Sequence, residues 1–284
     1  MLYDVVCYPV SALLWCWHEL FALVLGPGPA WPPAVVFLVL TLRTLLLRPA
    51  LVQLRAARAM HRLAPQVAAL RRENSGDRAR LAAELQALQR EHGVSPLGGC
   101  LPALVQLPVF LGLLHVLHQF TAGTAAYVFD TGDVRSFLGA RLLTAPLAAY
   151  ARMPAEQLAA LGVQRWSVLA VAVPLAALAA VATYVTSRQT LRRQPPGTDR
   201  QAVLTGRLLL YGLPAGALLS GTLFAFPVVT LLYWLANNAC TVVQQAVLHR
   251  RLDLQDRAAG GQAAGGQATG VRRRGVRRRR RSGR

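Results

Sequence analysis

Apolar residues run along this chain in long stretches separated by short arginine-bearing segments, and the lengths of the stretches predict its elements. Ala34 to Leu54 (AVVFLVLTLRTLLLRPALVQL), residues 97–120, residues 166–187 and residues 208–247 are dominated by Leu, Val, Ala and Phe. An α-helix needs about 20 such residues to cross the hydrocarbon core of a bilayer. The first three stretches have that length. Residues 208–247 are too long for one crossing at about 1.5 Å of rise per residue, and they suit two antiparallel crossings that turn near Ser220-Gly221. The prediction is an all-α polytopic membrane protein with five transmembrane helices.

Residues 5–25 (VVCYPVSALLWCWHELFALVL) are long enough for a further span, but His18 and Glu19 interrupt the run and Gly26-Pro27-Gly28-Pro29 follows at once. Trp15 and Trp17 favour the membrane interface. The segment reads as an amphipathic helix lying on the outer surface. The alternative is a true first span, which would place the N-terminus inside.

A different pattern fills residues 55–95. Met60, Leu63, Val67 and Leu70 recur at helical spacing, and Leu81, Leu85 and Leu88 do so again after Asn74-Ser75-Gly76-Asp77. The pattern predicts a hairpin of two amphipathic helices. Ser75 or Asp77 suits the N-cap of the second helix. Pro65 should kink the first or delay its start. The polar faces are rich in arginine, Arg71 and Arg72 included, and fit anionic lipid head groups or another acidic surface. The alternative is a solvated basic loop with no partner.

Charge then orients the elements. The chain has 284 residues, 54% of them hydrophobic, with 31 basic residues against 12 acidic ones and a net charge of +19. Every basic residue is arginine, which points to a GC-rich genome and makes part of the count codon habit. Short cytoplasmic loops collect such residues. Arg48 to Arg90 holds nine, Arg188 to Arg207 five and Arg250 to the end twelve, whereas residues 121–165 hold four, offset by Asp130, Asp133 and Glu156. The expected order is therefore an outer interfacial helix and linker (1–30), a span (31–54), a cytoplasmic hairpin (55–95), a span (96–120), an outer loop (121–165), a span (166–187), a cytoplasmic loop (188–207), two spans (208–222 and 223–248) and a cytoplasmic tail (249–284). The N-terminus lies outside and the C-terminus inside. With no arginine before Arg43, the N-terminus lacks the positive region of a signal peptide, so neither cleavage nor lipidation is expected.

One charge stands inside the first span. Arg43 has no acidic residue in any of the five stretches to neutralise it. A charge at the bilayer centre costs about 2.5–3.5 kcal/mol and is tolerated where it faces protein or water. Arg48, near the span's end, can snorkel to the interface. In the last stretch Tyr233, Asn237 and Gln244 share one helix face, and Trp234, Asn238 and Gln245 form the adjacent stripe. Gln106, and Thr183 with Ser187 at i and i+4, add polar positions in other spans. These side chains either line a polar groove or hold the bundle together by interhelical hydrogen bonds.

Enzyme chemistry finds little support. No Gly-rich phosphate loop is present. His115 and His118 stand at i and i+3 without a third ligand. Cys7, Cys16, Cys100 and Cys240 make no metal-ligand pair and read as small buried hydrophobes. No cofactor or metal is expected.

Several long motifs, in order, resemble one known family. They are Thr41-Leu42-Arg43 followed by Pro49, the basic hairpin with Met60, Leu63 and Pro65, the stretch EHGVSPLGGCLPALVQLPVFLGLLHVL, and LLYWLANNACTVVQQ. The chain is similar to the YidC-type membrane protein insertases, relatives of the mitochondrial Oxa and chloroplast Albino proteins, and most similar to actinobacterial members. The resemblance covers residues 8–250. It implies a five-helix core in a bacterial plasma membrane around a hydrophilic groove, open to the cytoplasm and to lipid, with Arg43 as its positive charge. It also implies nascent membrane proteins as clients, the hairpin as their recruiter and the Sec translocon as a partner. The chain departs from the family in having only Met1, Met60 and Met153, with no methionine in TDRQAVLTGRLLLYGLP, the linker before the fourth span. A small-solute transporter or channel would also place a charge in the membrane, but more often with internal repeats, and none is found.

The tail joins a Gly/Ala/Gln linker, Ala258 to Gly270, to the cluster VRRRGVRRRRRSGR. Its composition predicts disorder. Arg272, Arg273, Arg274, Arg277, Arg278, Arg279, Arg280 and Arg281 can neutralise the phosphates of ribosomal RNA or contact anionic lipid, or can serve only to orient the protein.

Overall fold

The computed structural model describes residues 4–74, 76–92, 101–120, 123–192, 200–252 and 254. Among them the chain is almost wholly helical: α1 (Asp4–Leu25), α2 (Trp31–Leu45), α3 (Leu47–Arg62), α4 (Ala64–Glu73), α5 (Arg78–Glu91), α6 (Leu101–His118), α7 (Thr131–Gly139), α8 (Ala155–Ala160), α9 (Arg165–Arg192), α10 (Arg200–Arg207), α11 (Leu213–Ser220) and α12 (residues 228–252). The described strands, β1 (Arg141–Leu142) and β2 (Ala145–Pro146), form a short antiparallel hairpin. Residues Met1–Cys240 form one compact unit, and Thr241–Arg284 form another.

α1 buries Cys7, Val10, Leu14 and His18, a stripe at helical spacing, and packs along α2 and α6. The approach to α6 is close, since a Cβ on Gly112 would lie 3.1 Å from Val6 Cγ1. Trp17 Nε1 donates to Thr41 Oγ1 at 3.0 Å and ties α1 to α2. Among the described residues α1 and α9 are long and apolar enough to cross a bilayer, with a third span if α2 and the start of α3 count as one. The length of α1 is compatible with both readings its sequence left open, an interfacial helix and a true span. Of the cysteines, Cys7 is buried and Cys240 half-buried, but Cys16 is exposed, contrary to its expected burial. It sits off the buried stripe of α1. Cys100 lies outside the described residues.

The arginine-bearing stretch is not one straight helix. It breaks at Leu46, and the axes of α2 and α3 differ by 55°. Pro49 is the local cause: its ring conflicts with the carbonyl of the residue four places earlier, Leu45, the last of α2. Thr41 and Thr44 also bond back to the carbonyls of Phe37 and Leu40 at 2.8 Å, a pattern that bends helices. At the start of α2, Pro32 and Pro33 occupy first-turn positions that need no N–H donor.

Pro65 acts as its position predicts. The helix ends at Arg62, and α4 begins at Ala64 with proline in its first turn. Asp77 caps α5, accepting from the backbone N–H groups of Ala79 and Arg80 at 3.0 Å. Asn74 closes the hairpin turn by donating to Glu84 at 2.6 Å, and Arg80 Nε donates to the same carboxylate at 3.0 Å.

Between α10 and α11 the helix widens into a π turn, Leu208–Gly212. Pro214 cannot donate to the carbonyl of Leu210, and the N–H of Leu213 reaches five residues back, to Leu208. The turn after α11 lies tightly on α9: a Cβ on Gly221 would stand 2.6 Å from Ala176 Cβ. The alanine-rich face of α9 permits that approach.

Residues 123–164, opaque in sequence beyond the helix start at Pro154, fold into a packed cap. Phe129, Phe137 and Leu147 are buried there. Trp31, at the start of α2, packs against Phe120, Phe129 and Phe137 with ring centroids 6.0, 5.5 and 5.1 Å away, and its Nε1 donates to Ser136 Oγ at 2.9 Å. Arg165 clamps the cap from α9, donating to the carbonyls of Ala151 and Met153 at 2.7 and 3.1 Å. The first amides of α12 find acceptors in the same layer: Val228 N–H reaches Ala149 O at 2.9 Å and Val229 N–H reaches Leu147 O at 3.0 Å. Helix starts leave such donors unpaired unless a neighbour accepts.

Candidate functional site

Arg43 lies in the last turn of α2, just before the break, and its side chain is half-buried. It reaches across to α12. Nε and Nη2 donate to Asn237 Oδ1 at 3.0 and 2.7 Å, and Nη2 also donates to the backbone carbonyl of Asn237 at 3.2 Å. The guanidinium fork thus grips a residue 194 positions away. Charge-assisted bonds of this length are among the stronger hydrogen bonds in proteins. Asn237 is neutral, so the contact orients the guanidinium without cancelling its charge.

The neighbouring polar positions divide. Asn238 Nδ2 donates to Thr183 Oγ1 at 3.2 Å, a bond between α12 and α9, and Thr183 Oγ1 donates to Ala179 O at 2.8 Å. Tyr233 is 2% exposed, with its ring 5.8 Å from that of Phe110, so its aromatic body is a packing element. Ser187 is also buried. Trp234 is half-buried and meets Phe226 edge-on. The structure therefore brings Arg43, Asn237, Asn238 and Thr183 into two interhelical contacts and places Tyr233 and Ser187 within packing. Gln244 and Gln245 are half-buried on α12, in the second unit. The side chain of Gln106 lies outside the described residues.

In the hairpin Leu63 is 5% exposed, Leu70 half-buried, and Arg71 and Arg72 exposed. The side chain of Met60 and the arginines of the tail lie outside the described residues. A third polar group, at the cap, involves residues the sequence reading passed over as an interruption. His18 is buried against Trp31, with ring centroids 4.1 Å apart, and Asp133 Oδ1 stands 4.0 Å from its Nδ1. Burial holds the Asp133 carboxyl above its ordinary pKa, while a hydrogen bond from the Asp130 backbone pulls the other way.

Residues 23–256 match the family described as 60Kd inner membrane protein. The chain belongs to this family. A protein of Mycolicibacterium paratuberculosis called membrane protein insertase YidC is 42% identical over 275 residues, which cover 90% of this chain and 77% of that one. Its namesake in Mycobacterium tuberculosis is 41% identical over 90% of this chain and 75% of its own length. The namesake in Streptomyces avermitilis is 31% identical over 88% of this chain and 58% of its own. The match to the 60Kd inner membrane protein family takes in Arg43, the hairpin, the cap and all of α12, and it makes the apolar helices those of a membrane protein.

Proposed function

We propose that this chain is a membrane protein insertase that eases nascent membrane proteins into the bilayer through a hydrophilic groove carrying the charge of Arg43. The reading rests on the Arg43–Asn237 fork, which holds a guanidinium in fixed orientation on an otherwise apolar helix. The names of the actinobacterial relatives support it.

In this reading five spans surround the groove, the N-terminus lies outside, and the C-terminus lies in the cytoplasm of a bacterial cell. Asn237 orients Arg43 toward a client's hydrophilic, often acidic, leading segment. Asn238, Thr183 and Trp234 extend the polar lining, with Tyr233 and Ser187 as support behind it. A polar segment drawn into such a groove crosses a shorter span without water, which lowers the desolvation barrier, and the client's apolar helix then passes into lipid. The step is passive, so no catalytic residue or cofactor is required. The exposed arginines of the hairpin offer a recruiting surface, and the basic tail is suited to ribosomal RNA or to anionic lipid. The chain works alone or beside the Sec translocon.

The test is insertion of a single-span protein with an acidic N-terminal segment into liposomes holding the purified chain, scored by protease protection. Wild type should insert the client and Arg43→Ala should impair it. Insertion by both alike would remove the charge-attraction step. Failure of folded wild type to exceed empty liposomes would overturn the reading, and solute flux would then test for a transporter or channel.

A further inference from the structure

His18, Glu19 and Asp133 converge where α1 meets α7. His18 is 1% exposed, and its two ring nitrogens have unlike surroundings. Nε2 lies 2.9 Å from the carbonyl oxygen of Pro27. A carbonyl only accepts, so Nε2 carries a proton, and a ring with no second proton presents a bare lone pair at Nδ1. Nδ1 is buried without a hydrogen-bond partner. It faces two carboxylates, Glu19 Oε1 at 3.4 Å and Asp133 Oδ1 at 4.0 Å. A lone pair aimed at two anions is unfavourable unless positive charge sits among them.

That charge is either a second ring proton or a cation, and the distances favour the cation. A charge-assisted N–H to carboxylate bond is about 2.7–2.9 Å long, and both separations exceed it. Ligands held at about 2.1 Å around a tetrahedral ion stand about 3.4 Å apart. The Glu19 distance matches, and the Asp133 distance needs a closure of a few tenths of an ångström. All three ligand atoms lie within 4.8 Å of one another.

We infer that His18 Nδ1, Glu19 and Asp133 form a binding site for a divalent transition ion of the zinc class, tying the N-terminal helix to the cap. The surroundings are those of a metal site. The Nε2–H to Pro27 bond fixes tautomer and ring orientation, as second-shell carbonyls do for ligating histidines. The Asp130 N–H holds Asp133 Oδ2 at 3.2 Å and leaves Oδ1 turned to the histidine. An open cavity of about 410 Å³, bordered also by Pro27, Gly132 and Ser136, leaves room for water or a further ligand at the ion. One nitrogen and two carboxylate oxygens suit zinc, whose three-ligand sites keep an open position.

The experiment uses the full chain in lipid nanodiscs, stripped with chelator and titrated calorimetrically with zinc chloride. A single saturable zinc should bind, with X-ray absorption showing nitrogen and oxygen ligands and no sulfur. Glu19→Gln and Asp133→Asn should each weaken it about 10–100-fold. Glu19 is half exposed, so its variant should fold even if removal of the buried His18 ring does not. No saturable binding by folded wild type, or affinity unchanged in both carboxylate variants, would overturn the site. So would nitrogen NMR showing both ring nitrogens of His18 protonated at neutral pH and unmoved by zinc.

Discussion

The cap and the Arg43 contact are built on opposite principles. In the cap, Trp31, Phe120, Phe129 and Phe137 interlock as a buried aromatic cluster, and polar groups such as Ser136 and Arg165 answer local donors and carbonyls. Around Arg43 the side chains are half-buried, and the bridges between helices are polar: the Asn237 fork and the Asn238–Thr183 bond. The first arrangement resists change because many contacts share the energy. The second holds a charge in place at the cost of desolvating it, an investment more easily explained by use than by stability.

The sharpest way to break this comparison is to empty the cap. Trp31→Ala or Phe137→Ala should cost about 3–5 kcal/mol, seen as a large fall in the thermal unfolding midpoint in detergent, with insertion lost only as the fold is lost. If either variant kept its stability and lost insertion, the division would be wrong. Arg43→Ala should do the reverse. Insertion of an acidic client should fall about tenfold, equivalent to about 1.4 kcal/mol of barrier, while unfolding barely moves, because lost hydrogen bonds and relieved desolvation offset each other. Arg43→Lys should fall between, keeping the charge but not the fork.

Asn237→Ala should weaken insertion about threefold by releasing the guanidinium, on the scale of about 0.5–1 kcal/mol for one acceptor. A loss equal to that of Arg43→Ala would mean that the orientation of the charge matters as much as its presence. The smallest effect belongs to the hairpin, where Asp77→Ala should cost about 1 kcal/mol of local helix stability. Faster amide exchange confined to the start of α5 would show it, with the cap and the Arg43 contact unmoved.

The elements legible in the sequence were those that a local rule specifies. Apolar length marked residues 166–187 of the helix that runs from 165 to 192, leucine spacing marked the hairpin, Pro65 marked a kink or a late helix start, and Ser75 or Asp77 marked a cap that Asp77 supplies. The isolated charge marked Arg43. Less legible was whatever depends on partners far along the chain. The break at Leu46 follows from Pro49, a signal present in the sequence but masked by an unbroken apolar run. The polar stripes of the last helix were visible as stripes, but which residue would meet Arg43 was not, since Tyr233, Asn237 and Gln244 share one face and it is Asn237 that accepts from the guanidinium.

The sequence by itself determined that this is a helical membrane protein with a charge where apolar side chains prevail, because hydrophobic length and charge placement are properties of consecutive residues. It also determined the family, through motifs that run in order. Only the tertiary structure decided that residues 123–164 are a packed cap, that Tyr233 is buried beside Phe110 while Asn237 meets Arg43, and that His18, Glu19 and Asp133 meet. Those facts depend on contacts between residues as many as 194 positions apart, and such contacts are set by how whole helices pack, which no local pattern records.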